Sequence, residues 1–72
     1  MNPEQIRIYE YLRAGLMRGQ KYFKAKYIAQ DLGMTSKVVG ANLSKLSQLC
    51  NDLSIGRYAK AKASATWRVT AR

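Results

Sequence analysis

The sequence predicts a small α+β domain in which three helices are followed by a β-hairpin. Three observations support this: a helix-start signal at the N-terminus, two segments of helical apolar spacing separated at Gly33, and period-two alternation near the C-terminus. The 72 residues suffice for a single domain, 1–72, near the lower size limit at which a core is stable without disulfides or metals. We therefore expect one site or surface rather than a deep cleft.

The first helix is predicted to begin at Pro3 and to run to about Met17. Asn2 is a suitable N-cap, proline is favoured at the first helical position, and Glu4 lies near the positive end of the helix dipole. The inward stripe is expected to comprise Ile8, Leu12 and Leu16, with Tyr9 and Ile6 beside them. Tyr11 lies off this stripe, either as a surface tyrosine or as a contact with another copy of the chain.

Gly15 and Gly19 are expected to loosen the end of this helix, and residues 20–25 follow as an extended connection. Tyr22 and Phe23 have strand propensity, and one of their rings is expected in the core because so small a domain needs large side chains. The basic residues around these rings are Lys21, Lys24 and Lys26. Alternation of lysines with aromatic rings leaves base stacking as an alternative.

The second helix is short, with apolar residues Ile28, Ala29 and Leu32. It is predicted to stop at Gly33 in a left-handed C-cap, after which Met34 is expected to be buried. Thr35 or Ser36 is expected to cap the third helix, which ends near residues 50–52. The apolar residues of the third helix are Val39, Leu43, Leu46 and Leu49 or Cys50.

The C-terminal part predicts a β-hairpin, with one strand from Leu53, a loop from Ala59 to Ala65 and a return strand over 66–70. Side chains two apart share a face of a strand. The residues expected to close the core from this side are Leu53, Ile55, Trp67 and Val69. The hairpin tip lacks a two-residue turn signal, so we expect it to be open and mobile.

Thirteen Lys and Arg against four Asp and Glu give a net charge of +9. Such a chain is stabilised by a polyanion, most often nucleic acid, with an anionic membrane surface or an acidic protein as the next alternatives. The sequence has neither an apolar run of transmembrane length nor the apolar core of a signal peptide, so we expect a soluble cytoplasmic protein without membrane contact.

Catalysis is not expected. The sequence has no histidine and a single cysteine, and its carboxylates are scattered, so neither an acid–base pair nor a metal or cofactor site is predicted. Cys50 is expected to pack as a small apolar residue, with intermolecular oxidation as the alternative.

The segment from Ile28 to Leu46 reads Ile-Ala-x-x-Leu-Gly-Met-Thr-x-x-x-Val-x-x-x-Leu-x-x-Leu. It resembles the helix-turn-helix core of winged-helix DNA-binding domains, especially small archaeal and bacterial transcription regulators, and residues 53–70 resemble their two-stranded wing. The resemblance implies a three-helix core with a C-terminal hairpin wing, and a short strand near Tyr22 and Phe23 that pairs with the wing. It also implies binding of double-stranded DNA, with the third helix in the major groove.

The groove-facing positions implied by the family fall on Ser36, Lys37, Gly40 and Ala41, and the last two are too small to read bases. Other exposed candidates on the third helix are Val38, Ser44 and Lys45, with Asn42 as a further hydrogen-bonding candidate. The expected phosphate contacts are Lys24, Lys26, Lys37, Lys45, Arg57, Lys60, Lys62 and Arg68. The amides that open the second helix are expected to assist them. We infer affinity mainly from phosphates and modest sequence specificity.

Transcription regulation and low-specificity coating of nucleoid DNA both fit this expectation. Three alternatives remain: an RNA-binding, ribosome-associated winged helix that uses Tyr22 or Tyr58, a protein-interaction module that docks an acidic partner, and a third helix that is only a solvated surface. A monomer and a homodimer also remain open. A dimer would use the first helix, through Ile6, Tyr9 or Tyr11, or would assemble on DNA.

Overall fold

The structure is a computed structural model that describes residues 1–60 and 65–72. Its elements in chain order are α1 (Pro3–Met17), β1 (Tyr22–Lys24), α2 (Ala25–Leu32), α3 (Ser36–Leu49), β2 (Leu53–Lys60) and β3 (Ala65–Ala71). The strands form one antiparallel sheet in the order β1-β3-β2. The α+β class is confirmed, and β1 adds a third strand to the predicted hairpin.

A capping box fixes the start of α1 where the sequence predicted it. The Asn2 side chain accepts a hydrogen bond from the Gln5 amide at 2.8 Å, and the Asn2 amide donates to the Gln5 side chain at 3.1 Å. Gln5 is buried and begins an inward stripe that continues through Ile8 and Leu12. Because this stripe passes through Gln5, Ile6 is turned outward and is exposed, contrary to expectation.

Gly15 does not loosen α1, which continues unbroken to Met17. It is buried, and a Cβ placed there would lie 2.5 Å from the Phe23 ring. Glycine is needed at this position because the ring approaches the helix backbone more closely than any side chain would allow. Phe23 is therefore the ring that enters the core, while Tyr22 remains exposed.

The corner between α2 and α3 follows from local signals. Gly33 adopts φ 68°, and the Met34 amide donates to the Ala29 carbonyl at 2.8 Å, which satisfies the end of α2. Thr35 then caps α3 through its hydroxyl, which accepts from the Val38 amide at 3.1 Å. Met34 is half-buried rather than buried.

The hairpin strands are longer than predicted. Ala59, Lys60 and Ala65 belong to strands rather than to the loop, because the ladder continues past an irregularity between Arg57 and Ala59. The prediction of a mobile tip concerns residues 61–64, which lie outside the described residues.

The core lies between the helices and one face of the sheet. All four inward hairpin residues are buried as predicted, namely Leu53, Ile55, Trp67 and Val69. Phe23 pairs with Trp67 in register, so β1 contributes to the same face. Cys50 is buried beside Leu46, while Leu49 is exposed, which decides between the two alternatives for the end of α3. Burial raises the pKa of the Cys50 thiol.

Replacement of Gly15 by alanine is expected to destabilise the fold by up to about 2 kcal/mol. The overlap of the added methyl group with the Phe23 ring costs about 1–3 kcal/mol, and the better helix propensity of alanine offsets roughly 1 kcal/mol of that cost. Gly40→Ala is the matched control, since a Cβ there meets no atom within 4 Å, and it is expected to stabilise by up to about 1 kcal/mol. Chemical unfolding measures both variants. Equal changes in the two would contradict the packing of Phe23 against Gly15.

Candidate nucleic-acid interface

Helix α3 presents one continuous side to solvent. Its apolar residues Val39, Leu43 and Leu46 point into the core, so the positions between them point outward. The exposed predicted residues are Ser36, Lys37, Ala41, Ser44 and Lys45, and the half-buried ones are Val38 and Gly40. Spacings of three and four residues place them on one side of the helix, which we call the α3 surface. The space beside Gly40 is open, so a ligand can approach the backbone there.

Asn42 does not belong to the α3 surface. It is buried, and its side-chain amide donates to the Val38 carbonyl at 2.9 Å. The sequence-based suggestion that Asn42 contacts a base is therefore wrong. Gln48 is an exposed residue on the same side, one turn after Ser44, and sequence reasoning missed it. Its helical spacing from Lys37, Ala41 and Ser44 could have identified it. The sequence-based prediction extended the groove-facing positions only over the first turns of the helix.

The carboxylates are segregated from the α3 surface and from the sheet. The sequence has four, and none falls within α3 or a strand. Glu4 and Glu10 lie on α1, Asp31 in the last turn of α2, and Asp52 in the turn before β2. The α3 surface consequently carries positive and neutral groups only.

Two of these carboxylates bind side chains of α1. Asp52 accepts hydrogen bonds from the Tyr9 hydroxyl and from the Arg13 guanidinium, the latter at 2.9 Å. The hydrogen bond from Tyr9, aided by Arg13, holds the pKa of Asp52 below its usual value, and the same bond raises the pKa of Tyr9. This cluster joins α1 to the turn between α3 and β2.

Tyr11 makes a similar connection to α2. Its hydroxyl donates to Asp31 at 2.5 Å, and its ring lies edge-on to Phe23 with centroids 6.3 Å apart. Burial and the bond to Asp31 raise the pKa of Tyr11. Tyr9 and Tyr11, which the sequence offered as dimer contacts, thus both have hydrogen-bonding partners within the chain.

A second basic group lies where α2 begins. Lys24 is the N-cap residue of α2, and its side chain makes no capping hydrogen bond. The side chain of Lys24 therefore accepts no hydrogen bond from the amides of the first turn. The ammonium groups of Lys24 and Lys26 lie 6.0 and 5.1 Å from the ring centroid of Tyr27, which is exposed. Sequence reasoning included both lysines but not Tyr27, although the order Lys-Ala-Lys-Tyr places them together.

The basic residues of the hairpin do not form one cluster. Arg57 pairs with Trp67 and its guanidinium lies 5.2 Å from that ring, which places it on the helix-facing side of the sheet. Arg68 pairs with Gly56 and Tyr22, on the opposite face. The backbone of Lys60 belongs to β2, and Lys62 lies outside the described residues. Arg57 and Arg68 therefore cannot both contact a DNA backbone that lies on one side of the sheet.

A family model described as a domain of unknown function (DUF7123) matches residues 1–71. The chain belongs to this family. Neither the curated proteins nor the solved structures include a match to it.

Among residues 1–60 and 65–72, no three histidine, cysteine or acidic side chains come together as a metal site would require. None of the helices in these ranges is both long enough and apolar enough to cross a bilayer.

The cluster around Asp52 predicts a pH effect on stability. Because the pKa of Asp52 is lowered by folding, its ionised form stabilises the fold above the unfolded-state pKa of roughly 3.9, and this contribution is lost as the pH falls through the folded-state pKa. Asp52→Asn should be less stable than the parent at neutral pH, and the difference should shrink on acidification. Urea unfolding of both proteins across the acid range measures it. A difference that is independent of pH would exclude this role for Asp52.

Proposed function

We propose that this protein binds double-stranded DNA as a winged helix. In this proposal α2 and α3 form the helix-turn-helix unit around Gly33, α3 enters the major groove, and the β2–β3 hairpin is the wing. The supporting geometry is the left-handed corner at Gly33, the Thr35 cap and the solvent-facing side of α3. The role is one of binding, without a catalytic step.

The observation that carries the proposal is the charge of the α3 surface. Lys37 and Lys45 project from a helix that contains no acidic residue, while two of the four carboxylates are held by tyrosines of α1. A surface of one sign attracts a polyanion, and duplex DNA carries one charge per about 1.7 Å of its axis. The α3 surface matches such a ligand better than it matches a neutral partner.

The side chains of the α3 surface favour phosphate contacts over base readout. Gly40 and Ala41 allow close approach of the helix backbone, Ser36 and Ser44 reach only short distances, and arginine and asparagine are missing from the exposed side. Gln48 is the one exposed amide there that can pair with adenine. Modest sequence preference is the expected result.

Phosphate contacts outside α3 come from two places in this proposal. Arg57 extends the basic surface along the helix-facing side of the sheet. Lys24 and Lys26 supply charge beside the uncapped start of α2, where amides can bind a phosphate oxygen. Abundant, weakly selective binding of this kind suits a nucleoid-associated protein or a transcription regulator with relaxed specificity.

The double variant Lys37→Ala, Lys45→Ala tests the placement of α3. If about six phosphates are neutralised, the logarithm of the affinity for duplex DNA should fall with that of salt at a slope of roughly −5. The double variant should reduce the magnitude of this slope by about two, because each lysine neutralises one phosphate. Fluorescence anisotropy with random-sequence duplexes across a salt series measures the slope.

Arg18→Ala, Lys21→Ala is the matched control, since it removes the same charge from the connection between α1 and β1. It should leave the slope close to that of the parent protein. If both double variants change the slope equally, binding depends on net charge alone and α3 is not the DNA-contacting element.

A further inference from the structure

The sheet has a second face, and none of the helices that the structure describes covers it. Residues of β1, β2 and β3 that alternate with the buried ones point away from the helices. We call this the outer face, and it comprises Tyr22, Lys24, Ser54, Gly56, Tyr58, Thr66, Arg68 and Thr70. Apart from Lys24 at the end of β1, the outer face plays no part in the duplex interface proposed above.

Two tyrosines meet on the outer face from the two edge strands. Tyr22 of β1 and Tyr58 of β2 have ring centroids 4.9 Å apart at an interplanar angle of 62°, although β3 lies between their strands. The two residues remain 48% and 63% exposed. A pair of large rings this exposed contributes little to the core and offers an aromatic surface to a ligand.

A cationic groove adjoins this pair. Arg68 lies in register with Tyr22 on one side and with Gly56 on the other, and the missing side chain at Gly56 leaves open space. The groove has a volume of about 300 Å³, and Ser54, Tyr58 and Thr70 are among the residues that line it. Within residues 1–60 and 65–72, Arg68 has no ion-pair partner.

We propose that the outer face binds an unpaired nucleotide of a single-stranded nucleic acid. The base stacks on one of the two tyrosine rings and meets the other edge-on. The adjoining phosphate lies over Gly56, where the Arg68 guanidinium and the hydroxyl groups of Ser54 and Thr70 donate hydrogen bonds to its oxygens. Aromatic side chains on a sheet surface beside positive charge are a recurrent platform for unpaired bases. This site is separate from the α3 surface, so duplex binding neither requires it nor follows from it.

The charge of the outer face selects this occupant. No carboxylate lies on the sheet, so the phosphate meets no repulsion there. A second copy of the chain would bring two Arg68 side chains together between molecules of net charge +9. A peptide supplies a flat ring only at its aromatic residues and carries no backbone phosphate, whereas every nucleotide supplies both a flat base and a phosphate.

The test compares three short probes of equal length by fluorescence anisotropy: oligouridylate, oligothymidylate and a deoxyribose-phosphate strand without bases. The parent protein should bind at least one base-containing strand more tightly than the abasic strand. Tyr22→Ala, Tyr58→Ala should remove that preference, a loss of about five-fold or more, while duplex affinity is unchanged. Preference for oligouridylate would assign the site to RNA, and preference for oligothymidylate to single-stranded DNA.

Tyr22→Phe, Tyr58→Phe is the matched control, since it keeps both rings and should keep the preference for bases. Titration of labelled protein with uridine monophosphate provides a second readout, in which amide signals of Gly56 and Arg68 should shift while those of α3 do not. Equal binding of all three probes by the parent protein would overturn the proposal. So would an alanine variant that loses duplex and single-strand affinity alike, or self-association of the parent protein that the alanine variant abolishes.

Discussion

The ring of Phe23 lies against the backbone of Gly15, and this close approach joins the sheet to α1. Phe23 also pairs with Trp67 across β1 and β3, so one side chain sets the distance between the helical layer and the sheet. That distance decides which residues of the sheet and of α3 are excluded from the core. With the inner face of the sheet filled by Phe23 and Trp67, Tyr22 must point outward, and α3 is left with one side in the core and the other in solvent.

The charge distribution works with this packing. A chain of net charge +9 and 72 residues repels itself, and two of its four carboxylates join elements: Asp52 binds Tyr9 and Arg13, and Asp31 binds Tyr11. Hydrogen-bonded carboxylates on the α1 side neutralise local charge without reaching the α3 surface. The fold is thereby stabilised on one side while the other keeps an unopposed positive potential. The proposed ligands would supply the missing negative charge.

Local signals in the sequence were enough to predict the bounds of α1, the end of α2 and the start of α3, but not the start of α2, which has no side-chain cap. The Asn2 and Thr35 caps, Gly33 at the corner and the alternation from Leu53 to Val69 each act within a few residues, and each is found where expected. Features that depend on distant contacts were predicted less well. The packing role of Gly15 and the burial of Asn42 require knowledge of facing elements. Predicting that Arg57 and Arg68 lie on opposite faces of the sheet requires the register of the strands. The sequence alone does not give that register.

The measurement that tests duplex binding through α3 most directly is chemical-shift mapping of isotopically labelled protein with a random-sequence DNA duplex. The predicted result is perturbation of amides along the α3 surface, strongest from Ser36 to Lys45, and of those at the start of α2. Amides of α1 around Glu4 and Glu10 should be unchanged. Perturbation confined to α1 or to the outer face of the sheet would contradict the account, because the duplex would then contact a surface other than the acid-free side of α3.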